Sequence, residues 1–134
     1  MTAVIHISTT IECTPEKAYA FAANPENLPQ WAAGLAQSRV SREGNRWRVK
    51  APFGEAWVTF AAPNAFGVMD HDVVLEDGTV VHNPMRVVAN GSGSEFIFTL
   101  FRQPGMSDEQ FAADRAAVER DLATLKTLLE KCGT

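Results

Sequence analysis

The sequence predicts an α+β fold: a seven-stranded, curved antiparallel sheet wrapped around a long carboxy-terminal helix, with two short helices after the first strand. Three features point there. The chain opens with a strand of period-two alternation. Between Leu35 and Arg102 turn signals recur at strand-length intervals, and after them comes a long amphipathic helix.

Ile5, Ile7, Thr9 and Ile11 alternate with His6, Ser8, Thr10 and Glu12, as in a strand with one buried face. Thr14 can then cap a helix whose first residue is Pro15, a position where the missing N–H costs nothing. Ala18, Tyr19, Phe21 and Ala22 supply its apolar side, and Asn24-Pro25 stops it. PENLPQWAAG has room for a turn or two of helix, with Leu28 and Trp31 three apart on one side and Gly34 at the end. Six strands follow, separated by Glu43-Gly44-Asn45, Pro52-Phe53-Gly54, Pro63-Asn64, Asp77-Gly78 and Asn90-Gly91-Ser92-Gly93.

Ser107 and Gln110 have the form of a capping box, with Asp108 and Glu109 in the first turn where the helix dipole favours negative charge. Phe111, Val118, Leu122, Leu125 and Leu129 recur at helical spacing, Leu128 widens the stripe, and Gly133 is expected to end the helix. From Ser107 to Lys131 it would run about 37 Å. A helix with one apolar stripe must lie across something, and a curved sheet is the only partner this chain supplies. Where such a sheet wraps a helix without closing on itself, side chains can leave a gap, and the gap is a pocket.

Composition narrows the function. At 134 residues one domain, spanning 1–134, is expected, and 46% hydrophobic content allows a real core. A net charge of -4 offers no broad positive field, so nucleic acid is not an expected partner. The amino terminus has no signal-peptide pattern and no segment is apolar enough to span a bilayer, so a cytoplasmic protein is expected. Cys13 and Cys132 fit neither a disulfide framework nor a zinc spacing and are read as thiols. No GxGxxG, P-loop, GxSxG, HExxH or CxxC pattern occurs, so no cofactor is expected.

The run IECTPEKAYAFAANPENLPQWAAG, together with this order of elements, resembles the SRPBCC superfamily, which includes START lipid-transfer domains, birch-pollen-allergen-like proteins and polyketide cyclases and dehydrases. FGVMDHDV, NPMRV and GSEFIFTLFRQPGMSD look like a bacterial subgroup of it. The resemblance spans essentially the whole chain and implies a helix-grip fold around an apolar cavity. It does not imply one reaction.

MDHDVVLEDGTVVHNPMR sets titratable groups among the valines of a hairpin. A two-residue turn at Asp77-Gly78 would pair Val73 with His82 and Met69 with Arg86, so that Met69, His71, Val73, His82 and Arg86 share a face. Asn83 and Met85 then lie on the other. Pro84 cannot donate to the ladder, so a bulge is expected there, and it would exchange the faces of everything after it. His71 is the candidate proton donor or acceptor, the alternative being a histidine hydrogen-bonded within the sheet. Arg86, if inward, needs an anion: Asp70, Glu95 or a ligand carboxylate or enolate. Asp70, His71 and Asp72 alternate across the strand and cannot converge on one metal ion without a bulge, so no metal site is expected.

Its spacing from Phe111 and Val118 places Arg115 on the apolar stripe of the long helix, where it can snorkel at the cavity mouth or pair with an acid. Trp31, Phe53, Trp57, Met69, His82, Asn83 and Phe98 complete the candidate ligand-binding set, with Trp31 equally readable as a core anchor. Arg46, Arg48 and Lys50 alternate with Trp47 and Val49 and read as a solvated face.

Three functions fit. One is a carrier or sensor of a small hydrophobic molecule, aromatic or acidic. Another is a cofactor-independent cyclase, dehydratase or aldol-type enzyme in which His71 moves a proton and Arg86 stabilises an enolate. The third is a protein-interaction module with a vestigial cavity. A small hydrophobic molecule is the expected partner, with a homodimer as a further candidate.

Overall fold

The computed structural model describes residues 1–132, with the backbone alone for Cys132. The element order is β1 (Val4–Ile11), α1 (Pro15–Ala22), a 3₁₀ turn (Pro25–Asn27), α2 (Leu28–Trp31), β2 (Ser41–Glu43), β3 (Arg46–Ala51), β4 (Gly54–Phe60), β5 (His71–Leu75), β6 (Val80–Asn83), β7 (Met85–Asn90), β8 (Gly93–Phe101) and α3 (Asp108–Cys132). The stop expected at Gly133 and the side chain of Cys132 lie outside the described residues, while Cys13 is buried.

Local chemistry explains the helix starts. Thr14 Oγ1 accepts from the backbone N–H of Lys17 at 3.3 Å, and Pro15 follows it at the first helical position. At α3 the capping box is reciprocal: Ser107 N–H donates to Gln110 Oε1 at 2.9 Å, and Gln110 N–H donates to Ser107 Oγ at 3.1 Å.

The sheet differs from expectation in one respect: eight strands form two antiparallel sheets rather than seven forming one. β1-β8-β7 make a three-stranded sheet and β2-β3-β4-β5-β6 a five-stranded one. The division falls at Pro84. Its carbonyl accepts from Thr99 N–H at 2.9 Å, but its ring nitrogen has no hydrogen to return. Residues 80–83 therefore ladder with β5 and residues 85–90 with β8, so one bent segment carries the chain from sheet to sheet.

The hairpin register also differs, by one residue. Leu75 N–H donates to Thr79 O at 2.9 Å and Gly78 N–H to Leu75 O at 2.9 Å, leaving a three-residue loop, Glu76-Asp77-Gly78, with Gly78 at φ 88°. Asp77 Oδ1 accepts from Thr79 N–H at 2.9 Å and draws the turn in. His71 consequently pairs with Asn83, Asp72 with His82 and Val73 with Val81. A one-residue slip moves every side chain of a strand to the other face. The same count continues through the Val68–Arg86 bridge, so no exchange of faces occurs at Pro84; it has already happened at the turn.

Gly67 marks a close approach beside that bridge. At φ 70° its carbonyl accepts from Val87 N–H at 3.0 Å, and a Cβ there would sit 2.2 Å from Val87 O.

The core joins the inner faces of both sheets to α1, α2 and one side of α3. Ile11, Leu28, Val49, Val58, Phe96 and Leu125 are among its most buried members. No described helix is long and apolar enough to cross a membrane.

Candidate functional site

Between α3, α2 and the concave side of the sheets the side chains leave a cavity of about 300 Å³. Leu28, Trp31, Ala32 and Leu35 line it from α2 and the turn after it, and Val73, Leu75, Val81, Met85, Phe98 and Leu100 from the strands. Ala117, Val118 and Leu122 line it from α3. Its polar members are few: His71, Asn83, Gln103, Asp114 and Asp121 side chains punctuate a largely apolar wall. That composition suits an apolar guest held by a small number of placed contacts.

His71 is 5% exposed and lines the cavity from β5. Its Nδ1 lies 3.0 Å from Met69 O; a carbonyl only accepts, so Nδ1 carries the proton and Nε2 the lone pair. The ring stacks on Phe60 with centroids 4.8 Å apart and meets Phe98 edge-on at 6.2 Å. Burial among these rings pushes its pKa down, so the imidazole is neutral.

Several other sequence candidates lie elsewhere. Arg86 points outward, its side chain 52% exposed, and grips Asp70 through Nη2 to Oδ2 at 2.9 Å and Nε to Oδ1 at 3.2 Å. Asp70, one of the three anions foreseen, also accepts from Met85 N–H at 2.9 Å, and the Arg86 guanidinium holds its carboxyl below the usual range. His82 is outside as well, 2.6 Å from Asp72 across the strands, because the shifted register turns it away from Val73. Asn83, set on the far face by the two-residue turn, comes inside for the same reason. Met69 shares the inner side with His71 but is packed in the core at 1% exposure, away from the cavity wall.

Trp57 occupies the outer face of β4, because Ala56 and Val58 take the inner one. Its Nε1 donates to Glu43 Oε1 at 3.3 Å and Arg46 lies over its ring at 5.1 Å. Phe53 is 58% exposed in the β3–β4 turn and forms part of the cavity rim. Trp31, 5% exposed, packs edge-on against Phe96 at 6.1 Å, and both of its readings, core anchor and cavity wall, apply.

Arg115 is solvated and lies 3.9 Å from Glu119, one helical turn on. At 100° per residue it stands about 80° round the helix from Leu125, whereas Asp114 stands about 20° away. Asp114 and Asp121, seven residues apart, thus belong to the inward side, and both were missed. The signal was their spacing from Phe111, Val118 and Leu125, which charge had hidden.

Burial raises the pKa of both acids. For Asp121 it rises to about 6, with the Gly34 N–H, 3.2 Å from Oδ2, and the charge of Arg120 offsetting only part of the desolvation. For Asp114 desolvation alone raises it. Among the described residues no three His, Cys, Asp or Glu side chains are grouped as metal ligands would be.

A long helix gripped by curved antiparallel sheets, with an apolar pocket between them, defines the helix-grip class shared by START and birch-pollen-allergen-like proteins. Residues 2–130 match the family described as polyketide cyclase / dehydrase and lipid transport, and the chain belongs to that family. No curated protein matches the sequence. Among solved structures, a START superfamily protein from Mycobacterium smegmatis aligns with TM-score 0.77 and 11% identity over 96% of this chain and 98% of that one. Ara h 8.0201 aligns at 0.72 and 15%, over 96% and 98%. The Aha1 dimer from Colwellia psychrerythraea aligns at 0.71 and 16%, over 96% of each chain. Likeness at such identities speaks for fold alone.

Proposed function

We propose that this protein binds a small hydrophobic molecule in the cavity between α3 and the sheets, as a carrier or sensor. The observation that carries the reading is a space of about 300 Å³ with mainly aliphatic and aromatic walls inside an otherwise packed core. Its lining includes no lysine or arginine, and Arg86 and Arg115 face solvent. An acidic guest would find no counter-ion there, so the reading narrows to neutral or basic molecules.

The experiment is mass spectrometry of small molecules released from freshly purified protein, run beside an Ala117→Phe variant whose larger side chain occupies the cavity from α3. A compound that copurifies with the natural protein and not with the folded variant supports the reading. Equal recovery from both overturns it.

A second reading follows from the neutral imidazole of His71 and the raised carboxyl of Asp121 lining one cavity. A neutral imidazole has a lone pair to accept a proton and a carboxyl raised to about 6 can return one, as a cofactor-independent cyclase or dehydratase requires. Arg86 has no part in it, since an outward guanidinium paired with Asp70 cannot stabilise an enolate inside. Turnover of the copurified compound that survives Arg86→Ala and is lost in His71→Phe would favour the enzyme over the carrier. Unchanged turnover in both variants would reject His71 as the proton carrier.

A further inference from the structure

Two buried residues of the cavity wall hold polar atoms that the fold leaves unused, and the atoms are of opposite kinds. On the α2 side Trp31 is 5% exposed, and its indole N–H has no hydrogen-bond partner. An indole nitrogen only donates, and a buried one ordinarily finds an acceptor. On the strand side His71, also 5% exposed, commits Nδ1–H to Met69 O, 3.0 Å away, so Nε2 only accepts. Among the described residues nothing donates to Nε2, and the ring's contacts with Phe60 and Phe98 offer it no N–H or O–H.

The ladder sets Asn83 opposite His71 on the same inner face, where its side-chain amide likewise makes no hydrogen bond among the described residues. A hydroxyl placed there has its proton for His71 and its lone pairs for the Asn83 amide.

Buried groups without partners forfeit hydrogen bonds that water would give them in the unfolded chain. A guest that brings one acceptor oxygen and one hydroxyl satisfies both sides of the cavity. A hydrocarbon satisfies neither, a carboxylate lacks the proton that His71 needs, and an ammonium lacks the lone pair that Trp31 needs.

We infer that the guest is a neutral hydroxy-carbonyl compound with an apolar body: its carbonyl oxygen accepts from the Trp31 indole N–H, and its hydroxyl donates to His71 Nε2 beside Asn83. This rests on the cavity-binding reading and sharpens it to a substrate class. The body packs on the apolar lining, to which Val73, Phe98, Leu100 and Val118 belong.

Three probes with one bicyclic body read the two sides separately: 2-acetylnaphthalene carries the carbonyl, 2-naphthol the hydroxyl and 2-ethylnaphthalene neither. Their affinities are measured by equilibrium dialysis against the natural protein, Trp31→Phe and His71→Phe at pH 7.5. The ketone and the naphthol are each expected to bind at least about tenfold tighter than the hydrocarbon. In Trp31→Phe the lead of the ketone should fall below about threefold while the naphthol keeps its own, and in His71→Phe the pattern should reverse. Ratios taken within one variant cancel packing losses common to all three probes, and where a variant does not fold the ranking by the natural protein decides. A hydrocarbon that binds as tightly as either polar probe, or a lead that survives loss of its assigned partner, overturns the inference and leaves the cavity reading intact. If none of the three binds, the cavity reading falls and this inference with it.

Discussion

Replacing Asp121 with asparagine should make the protein more stable at neutral pH, and the gain should vanish in acid. The carboxyl rises from 3.8 to about 6 because folding removes much of its water, and the Gly34 N–H and the charge of Arg120 offset only part of that loss. A raised folded-state pKa means that the native protein binds the proton more tightly than the unfolded chain does. The stabilisation it provides is therefore complete below 3.8 and is lost as pH rises through 6. At 1.36 kcal/mol per pKa unit the full span is at most about 3 kcal/mol, and residual solvent contact reduces it to about 1–2 kcal/mol. Urea unfolding of both proteins at half-unit intervals from pH 3.5 to 8 measures the difference directly. Near pH 3.5 the curves should nearly coincide; by pH 7.5 the variant should lead by that amount, or by several degrees in Tm. A variant equal to or weaker than the natural protein at pH 7.5 would refute the reasoning, as would a gap that does not widen between pH 4 and 7.

Asp70→Ala should cost about 1–3 kcal/mol in urea unfolding, because it orphans the Met85 N–H beside the sheet junction, whereas Arg86→Ala, which removes an exposed partner, should cost less than about 1 kcal/mol. The Asp70 carboxyl is held low, so its contribution is present above the ordinary carboxylate pKa and is lost as pH falls through the depressed value; acid titration of Asp70→Asn should show the difference closing from that side. Gly67→Ala should lower stability by more than about 2 kcal/mol by thermal unfolding, since the backbone oxygen 2.2 Å from the new Cβ must move and the left-handed backbone is strained for alanine. Trp57→Phe should leave the recovery of the copurified compound unchanged within about twofold by mass spectrometry, because that ring lies on the outer face, with Arg46 over it.

How far the fold could be read without coordinates depends on the range of the interactions involved. β1, α1 and the start of α3 were legible because their causes lie within a few residues: alternation of Ile5, Ile7 and Ile11, the Thr14-Pro15 cap, and the Ser107–Gln110 box. Turn chemistry placed most strand limits, but the missing donor of Pro84 suggested a bulge, whereas the register runs on unbroken and the chain changes sheet there. That change was beyond local reasoning, since only the position of Thr99 on β8 makes residues 85–90 join a different sheet from residues 80–83.

The site was less legible than the fold. Asp77-Gly78 admits a two-residue or a three-residue hairpin, and the difference of one residue exchanges Asn83 for His82 at the cavity wall and turns Arg86 out to Asp70. Asp114 and Asp121 had the spacing of core positions but not the chemistry, so hydrophobic pattern alone passed over them. Sequence by itself determined the succession of a strand, short helices, further strands and a long amphipathic helix, and the shortage of positive charge, though not the number of strands. Tertiary structure alone decided which polar groups face inward, because a side chain's facing in a strand pair is set by register across the ladder, and a cavity exists only where distant surfaces fail to meet.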